Sequence, residues 1–431
     1  MPRLVGREPG TKVRIRFQNA FASARLLVPL LRVNRFQFRS KMSEKTFPEY
    51  PDIPHLREKA LRTIPRFAFD YVDGGCNSET NLRRNTEELR QIRLKPVYVR
   101  KAGEPSLETS LFGKTYAAPF GMAPVGLQGL IWPRATEILA AAARKANIPF
   151  CLSTVATADI ETVARITDSE AWFQLYHPVE EELRDKILRR ASDAGYPVLV
   201  VLADVPAFGY RSKEIRSGLS IPPKMTLRNI LQVMGSPKWA LKTLLAGQPE
   251  FKTLTPYIPK GMSLKQLGVF MNRTFSGVLD EDKLRAIRER WNGKLVLKGV
   301  ASEEDTDQAV RLGFDGVIVS NHGGRQLDVG ESAVRPLQRI ARSYGDRITV
   351  MMDSGIRNGP DIACALAAGA RFTFLGRSFM YGVGALGQHG GDHVIRILRQ
   401  QLHQVMMQLR CERVDELPGC LAPAEAEAHA V

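Results

Sequence analysis

Alternation of short apolar runs with helical patterns is the feature that most limits how this chain can fold. After residue 115, eight runs have the length and composition of buried strands: 119–123, 148–152, 171–175, 198–203, 295–297, 316–319, 348–352 and 372–375. Helical patterns lie between most of them, at 136–146, 180–194, 282–291, 303–312 and 360–368, and Ser302 with Asp305 is typical of a capping box. Strand–helix alternation predicts an α/β fold with a parallel sheet. Eight units favour a closed (β/α)8 TIM barrel, and an open doubly wound sheet is the alternative.

Polar or glycine-containing segments follow all eight runs, at the point where each run ends. They are Pro124-Val125-Gly126, Ser153-Thr154, Gln174 with Tyr176, Asp204, Lys298, the loop 320–325, Asp353-Ser354-Gly355 and Gly376-Arg377. In a (β/α)8 barrel the active site is built at the carboxyl ends of the strands. Any one of these loops is most simply a solvated connection, but the set of eight indicates a single site.

The loop after the sixth run carries the most specific chemistry. Residues 320–328 read Ser-Asn-His-Gly-Gly-Arg-Gln-Leu-Asp. His322 can accept a proton near neutral pH, and Arg325 can bind a carboxylate through two parallel hydrogen bonds. The two glycines allow a sharp turn and a close approach to a ligand. A base beside an anion-binding group predicts chemistry on a small carboxylic acid.

Two glycine-rich loops near the end of the barrel pattern favour a phosphate site. Residues 355–360, Gly-Ile-Arg-Asn-Gly-Pro, lead into one helical pattern, and Gly376-Arg377-Ser378 precedes another. Backbone N–H groups at a helix start, together with arginine, bind anions. Phosphate binding after strands seven and eight is frequent in this barrel.

The first 41 residues differ from the rest of the chain. They contribute +9 to the net charge of +16 and hold one acid, Glu8. Two interpretations stay open: an organelle transit peptide, which has this composition, or an over-extended start with Met42 as the initiator, which we slightly favour. We therefore expect a basic extension (1–41) that is disordered or absent from the mature fold, one folded domain (42–421) and a short tail (422–431).

Composition argues against several other classes of protein. The five cysteines are scattered and form no CxxC pair, which favours a reducing compartment over a disulfide framework, and no metal site is expected. No apolar run reaches the ~18 residues that a membrane-spanning helix needs. The positive charge comes without zinc-finger spacing or an aromatic RNA-binding motif, so nucleic acid is not expected as a partner. A non-enzymatic basic binding protein would not need the polar strand ends.

Taken together, these motifs resemble the FMN-dependent 2-hydroxy-acid dehydrogenases and oxidases, a group that includes L-lactate dehydrogenase, glycolate oxidase, flavocytochrome b2 and (S)-mandelate dehydrogenase. The loop 320–328 is the most specific match. Supporting matches are Phe-Asp-Tyr-Val-Asp-Gly-Gly at 69–75, Trp-Phe-Gln-Leu-Tyr at 172–176, Leu-Lys-Gly-Val at 297–300 and Asp-Ser-Gly-Ile-Arg at 353–357. The resemblance covers residues 47–419.

The resemblance implies bound FMN and oxidation of an (S)-2-hydroxy acid, such as lactate or mandelate, to the 2-oxo acid. It also implies a homo-oligomer, which in this family is a tetramer. Because the chain shows no haem domain and no CxxCH motif, the electron acceptor would be a quinone or another carrier. The alternative is an oxidase that uses oxygen and releases hydrogen peroxide. Another phosphate-binding barrel, such as an isomerase, is a more distant alternative.

The resemblance also implies roles for individual residues. His322 would be the base, Asp204 its partner, Lys298 the cation at the N1/O2 edge of the flavin, and Tyr176 a catalytic tyrosine. The implied substrate-binding residues are Tyr71, Tyr176, Arg211 and Arg325. The implied FMN-binding residues are Pro124, Val125, Gly126, Ser153, Gln174, Lys298 and Ser320 around the ring and ribityl chain, and Asp353, Ser354, Gly355, Arg357, Gly376 and Arg377 around the ribityl chain and phosphate.

Three positions depart from the usual family pattern. Leu202 stands where a threonine usually hydrogen-bonds the flavin, so one polar contact is lost. Asn358 stands where a second arginine is common, which would weaken phosphate binding. Gly126 stands where some oxidases have alanine, and segment 124–127 looks more like the bacterial lactate and mandelate dehydrogenases.

A long insert interrupts the barrel pattern between residues 222 and 262. It carries six Lys or Arg residues against one acid, Glu250, and these alternate with Trp239 and many Leu, Ile, Val and Met residues. Such a segment can lie in the interface of an anionic membrane, and in the related bacterial dehydrogenases the corresponding insert attaches to a membrane. A lid over the active site or a subunit contact is the alternative. We expect a cytoplasmic enzyme that binds peripherally to the inner face of the cytoplasmic membrane.

Overall fold

In the computed structural model, the structure describes residues 46–219, 226–259, 266, 269–270, 273–275 and 278–423. The predicted extension (1–41) and residues 424–431 of the predicted tail lie outside the described residues. So do residues 222–225 and 260–262 of the predicted insert.

Eight parallel strands form one closed sheet. In chain order they are β3 (Phe120–Met122), β4 (Cys151–Ser153), β5 (Trp172–Leu175), β6 (Val198–Leu202), β7 (Lys294–Val300), β8 (Gly316–Val319), β9 (Thr349–Met352) and β10 (Phe372–Leu375). The hydrogen-bonded order runs β3-β10-β9-β8-β7-β6-β5-β4. A parallel bridge from Met122 to Phe150 joins the first and last members of that order. The predicted TIM barrel is therefore confirmed, with its long insert after the fourth barrel strand, β6.

Helices surround the barrel and cover its rims. They are α1 (Ile53–Thr63), α2 (Arg66–Asp73), α3 (Thr80–Gln91), α4 (Gln128–Ile131), α5 (Ala135–Ala146), α6 (Ile160–Thr167), α7 (Glu181–Asp193), α8 (Ser212–Ser217), α9 (Leu227–Met234), α10 (Pro237–Ala246), α11 (Glu281–Arg290), α12 (Glu303–Arg311), α13 (Val334–Tyr344), α14 (Gly359–Ala367), α15 (Arg377–Leu386) and α16 (Gly390–Leu409). Ser302 caps α12 as predicted, because its hydroxyl accepts from the backbone N–H of Asp305 at 3.1 Å.

The barrel strands are buried on both faces, which explains why they read as continuous apolar runs. Trp172 and Val200 belong to the cluster inside the barrel, whereas Phe173 and Val201 belong to the larger core between strands and helices. A hairpin of β1 (Thr109–Leu111) and β2 (Lys114–Tyr116) closes the amino-terminal end. Because this alternation fixes which side chains point inward, it also sets which strand-end residues face the opposite, carboxyl-terminal mouth.

The insert after β6 folds as two short helices, α9 and α10, and a 3-10 helix at Thr255–Tyr257. It is fixed to the barrel: Gln232 accepts from the Phe67 N–H at 3.2 Å, and the indole N–H of Trp239 donates to the Leu130 carbonyl at 3.1 Å. Trp239 is buried against Phe67. Trp239, which the sequence placed among the apolar residues of the possible membrane segment, therefore anchors the insert and does not face outward.

Within the part of the chain that the structure describes, no helix is long and apolar enough to cross a membrane.

Candidate active site

The predicted site residues lie at one rim of the barrel, at the carboxyl ends of its strands or in the loops just beyond. Ser153, Gln174 and Lys298 are on strands β4, β5 and β7, and Ser320 directly follows β8. The segments 124–126, 204–211, 320–325 and 353–357 are loops that follow β3, β6, β8 and β9, and Gly376-Arg377 follows β10. Tyr71 comes from α2, whose position brings its hydroxyl to the Gly126 carbonyl at 3.1 Å.

His322 and Asp204 form the central pair of this rim. His322 Nδ1 lies 3.0 Å from Asp204 Oδ1, although the two residues come from different loops. The His322 backbone has a φ of 57°, in the left-handed region, and its N–H donates to the Ser320 hydroxyl at 3.0 Å. A non-glycine residue held in this conformation indicates that the loop places the ring at some conformational cost. The other ring nitrogen, Nε2, is left for a ligand, because a base oriented by a carboxylate at Nδ1 acts through Nε2.

Opposing effects set the protonation of the pair. Burial lowers the pKa of His322, and although Asp204 raises it, the positive charges of Lys298 and Arg211 help to keep it below its usual value. Burial raises the pKa of Asp204, but His322 and Lys298 outweigh that effect, so the carboxyl titrates below its usual range. At neutral pH the pair is therefore a neutral imidazole beside a carboxylate, which is the state that a general base needs.

Lys298 is a buried cation between two strands' ends. Its ammonium group lies 2.8 Å from Asp353 Oδ2 and donates to the Ser320 hydroxyl at 2.9 Å. Burial lowers the pKa of Lys298, yet Asp353 and Asp204 more than offset this effect, so it stays charged. The side chain thus places a fixed positive charge deep in the mouth of the barrel.

Two arginines and one glutamate make a second charged cluster beside Tyr71. Arg325 lies over the Tyr71 ring, with 5.2 Å from guanidinium carbon to ring centroid, and donates to Glu214 at 2.7 Å and to the carbonyls of Tyr71 and Gly74. Arg211 is 3.6 Å from Glu214, and its buried Nε has no hydrogen-bond partner among the described residues. One carboxylate between two guanidinium groups leaves a net positive charge, so this cluster favours an anion. The Arg211 Nε is thus a buried donor that remains for a ligand.

The glycine-rich loops gather further positive charge next to this cluster, since Arg377 and Arg325 both donate to the Gly74 carbonyl. Arg377 is half-buried and donates to the carbonyls of Val72, Gly74 and Gly323 at 2.8–3.0 Å. Burial, together with the nearby charge of Arg357, lowers the pKa of Arg377 to about 9. Gly355 has a φ of 85°, and an added Cβ would lie 2.5 Å from the Asn85 carbonyl. A guanidinium group whose charge is disfavoured by burial and by a second guanidinium group, beside the start of α14, suits a bound phosphate.

The structure shows the surroundings of two of the three residues that depart from the usual family pattern. Asn358 caps α14, since its side-chain oxygen accepts from the Asp361 N–H at 2.8 Å. Leu202 is buried and lines a small cavity together with Tyr176 and His177. The amide at 358 therefore has a structural use that the sequence interpretation did not consider.

Sequence reasoning missed residues that hold the site in place. Glu214 links the two arginines, and only its spacing of three residues from Arg211 signalled this. The amide of Asn321 bonds Asn81 at 2.9 Å and Asn85 at 2.7 Å, and so ties the histidine loop to α3. Asp328 accepts from the backbone N–H groups of Ser78 and Asn81 at the start of the same helix. Nothing local in the sequence indicated the contacts of Asn321 and Asp328, because these residues are more than 200 positions away from their partners.

The arrangement fits FMN by the chemistry of its donors. A cationic pair at a helix start suits the phosphate, and Lys298 is a buried cation that could face the flavin ring. Gly376 is close enough to Val125 that an added Cβ would lie 3.4 Å from the Val125 side chain. Small and polar residues therefore lie together at the carboxyl-terminal mouth of the barrel.

Comparisons with known proteins agree with this fit. The family model described as FMN-dependent dehydrogenase matches residues 60–422. The L-lactate dehydrogenase of Pseudomonas syringae pv. syringae (strain B728a) is 40% identical over 351 residues, which cover 81% of this chain and 92% of that protein. The solved structure of the monotopic membrane protein (S)-mandelate dehydrogenase superimposes with a TM-score of 0.82 and 34% identity, covering 86% of this chain and 99% of that one. A mandelate oxidase structure gives a TM-score of 0.73 and 29% identity, covering 85% and 97%. The chain therefore belongs to the family of FMN-dependent α-hydroxy-acid dehydrogenases, and its cofactor is FMN.

Proposed function

We propose that this protein oxidises an (S)-2-hydroxy acid of the lactate or mandelate kind to the 2-oxo acid. The observation that carries the proposal is the pairing of a neutral, carboxylate-oriented His322 with a net positive arginine cluster on the same rim. Oxidation of a 2-hydroxy acid needs a base that accepts a proton and a cationic group that binds the carboxylate. The similar L-lactate dehydrogenase and mandelate dehydrogenase carry substrates of this class in their names.

Each residue's task follows from its contacts. Arg211, with its free Nε, and Arg325 bind the substrate carboxylate, and Tyr71 and Tyr176 line the space beside it. His322 accepts a proton at Nε2, and Asp204 stabilises the imidazolium that forms. Bound FMN supplies the acceptor for the two electrons, which protein side chains lack. Lys298 is the buried cation that would stabilise the negative charge of a reduced cofactor.

We further propose that substrates larger than glycolate fit. Gly126 and Val155 border the space below Tyr71: an added Cβ at Gly126 would lie 2.8 Å from the Val155 Cγ2 atom and 3.4 Å from the Tyr71 hydroxyl. An alanine here would have to push Val155 or the Tyr71 hydroxyl aside, so we propose that the glycine keeps these two side chains from being displaced toward the substrate. Lactate and aryl hydroxy acids such as mandelate should both be turned over, and a preference for glycolate over both would contradict this part of the proposal.

The insert supports a membrane-bound quinone as the electron acceptor. Leu227, Leu244 and Leu245 are each more than two-thirds exposed, and Leu231, Met234 and Leu241 are also exposed. Exposed Arg228, Lys238, Lys242 and Lys252 lie among them, against the single acid Glu250. Because Gln232 and Trp239 hold the insert on the barrel, these apolar side chains have the interface of an anionic membrane as a fitting environment. Docking there would bring the flavin near a lipid-soluble quinone at the cytoplasmic face of the membrane.

A substrate panel tests the activity and the acceptor together. Purified holoenzyme is assayed with (S)-lactate, (S)-mandelate and glycolate, each with a quinone analogue under nitrogen and each in air without it. We expect quinone reduction with lactate or mandelate and slow peroxide formation. Rapid peroxide formation in air would favour the oxidase alternative, which the similarity to mandelate oxidase also allows.

Sedimentation with anionic vesicles tests the membrane proposal separately. The intact protein is compared with a variant in which Leu227, Leu244 and Leu245 are changed to Ser, and with a matched control that changes the exposed Leu327 and Val329 to Ser. The intact protein and the control should sediment at low salt, and the insert variant should not. Equal behaviour of all three proteins would refute membrane docking through the insert.

A further inference from the structure

The carboxyl-terminal segment 411–422 fastens an irregular stretch of the chain, residues 93–106, to the body of the barrel. Ser106 N–H donates to the Glu412 carbonyl at 2.8 Å, Lys95 N–H to the Cys420 carbonyl at 2.7 Å, and Ala422 N–H to the Arg93 carbonyl at 2.9 Å. We call residues 411–422 the clasp. Residues 97–99, which lie between these hydrogen-bonded positions, are exposed, and Val99 is fully exposed. The clasp is therefore the main support for this stretch.

Two thiols meet inside the clasp. Cys411, which follows α16, and Cys420, at the end of the 3-10 helix Val414–Cys420, have their sulfur atoms 3.2 Å apart. Their other polar contacts are long: Cys411 to the Leu409 carbonyl at 4.0 Å and Cys420 to the Glu416 carbonyl at 3.8 Å. All five described cysteines are free thiols in the structure. A disulfide has a sulfur–sulfur bond of about 2.05 Å, so the two atoms need to approach by only about 1 Å.

We propose that Cys411 and Cys420 are a reversible redox pair whose disulfide locks the clasp onto residues 93–106. The sequence argued against a disulfide framework in a reducing compartment, and a single pair that closes only under oxidising conditions is compatible with that argument. Neither cysteine lies near His322 or the arginine clusters in the described contacts, so the pair is separate from the proposed chemistry.

The order of events follows from exposure. Cys420 is partly exposed, whereas Cys411 is only 1% exposed. Burial, together with the Cys420 sulfur, raises the pKa of Cys411 to about 12. The Cys420 thiolate attacks a small disulfide such as oxidised glutathione and releases one thiol. Cys411 then loses its proton as it attacks the mixed disulfide at Cys420, and the second thiol leaves. The two electrons and two protons of the cysteine pair thus end in the two glutathione molecules.

Peptide mapping tests bond formation directly. Holoenzyme is treated with oxidised glutathione or with dithiothreitol, alkylated, and digested with trypsin without reduction. Cleavage after Arg410 and Arg413 places the two cysteines on separate peptides, 411–413 and 414–431. We expect these peptides to be disulfide-linked after oxidation and separate after reduction. The link should persist in Cys364→Ser, a matched change of another partly buried thiol, and disappear in Cys420→Ser.

Two physical readouts test whether the bond locks the clasp. Closing a loop of roughly ten residues should raise Tm by roughly 2–4 °C for a domain of this size, and it should slow amide exchange at residues 93–106. Both changes should be absent in Cys420→Ser and in Cys411→Ala. Glutathione attached at Cys420 without any linked peptide would overturn the proposal. A linked peptide without a change in Tm or amide exchange would overturn the locking role.

Discussion

Replacing Asp204 by asparagine should expose how far His322 depends on its partner. The 3.0 Å contact joins a buried carboxylate to the imidazole Nδ1, and a hydrogen bond to a charged group of this kind contributes about 1.5–3 kcal/mol. Asparagine keeps the shape of the side chain but removes the charge that stabilises the imidazolium. If that whole contribution appears in the transition state, kcat/KM falls roughly 10- to 150-fold.

The pH dependence gives the sign of the effect. His322 acts as a base only when neutral, and its pKa already lies below its usual value because burial and nearby cations outweigh Asp204. Activity should therefore be constant near neutral pH and fall on acidification, as the imidazole becomes protonated. Without the Asp204 carboxylate the pKa of His322 drops further, so the acid limb of the kcat/KM profile should move to lower pH.

The assay is anaerobic kcat/KM against pH for wild type and Asp204→Asn. Asp346→Asn is the control, because it removes the same charge from an exposed turn before β9. An acid limb that stays in place or moves to higher pH would refute the proposed link between Asp204 and His322. So would a loss of activity no larger than that of the control.

Further variants test the other proposed roles. His322→Gln should keep FMN bound and lower turnover by roughly 10²- to 10⁴-fold or more, since a positioned base is lost; near wild-type turnover would contradict the assignment. Arg211→Met should raise KM roughly 10- to 150-fold, because a charge-assisted bond to the substrate carboxylate is lost, and an unchanged KM would point to Arg325 alone. Lys298→Met leaves Asp353 without its buried cation, a loss of about 3–5 kcal/mol that should lower Tm by roughly 4–6 °C in thermal unfolding. Gly126→Ala should reduce kcat/KM for mandelate more than for lactate, because the added methyl group meets Val155 and Tyr71.

The barrel could be predicted from the sequence because its signals are local. Buried strands read as continuous apolar runs, and β8 and β10 begin and end where the runs at 316–319 and 372–375 do. The shorter β4 begins at Cys151, three residues later than its run, because backbone pairing and not hydrophobicity decides where a strand starts. Helices α1 to α3 were not predicted, because they lie before residue 115, where the alternation of strand and helix patterns begins.

The sequence was enough to predict which residues lie together at the site, but not which atoms each side chain contacts. The carboxyl ends of eight parallel strands meet at one rim, so His322, Asp204 and Lys298 had to lie near each other. Their hydrogen bonds depend on rotamers and on distant partners: Arg325 donates to the carbonyls of Tyr71 and Gly74, about 250 residues away. The buried position of Trp239 could not be predicted for the same reason, because an amphipathic pattern does not say which face a tryptophan joins.

The most direct test of the proposed function is anaerobic titration of the FMN-loaded protein with (S)-lactate and (S)-mandelate, followed by the visible absorbance of the flavin. We expect that at least one of these acids bleaches the flavin completely, that the corresponding 2-oxo acid forms in equal amount, and that the (R)-enantiomer does not act. A protein that takes up FMN but is bleached by none of these acids would contradict the proposed function. A protein that gains no flavin absorbance on reconstitution would contradict the cofactor site itself.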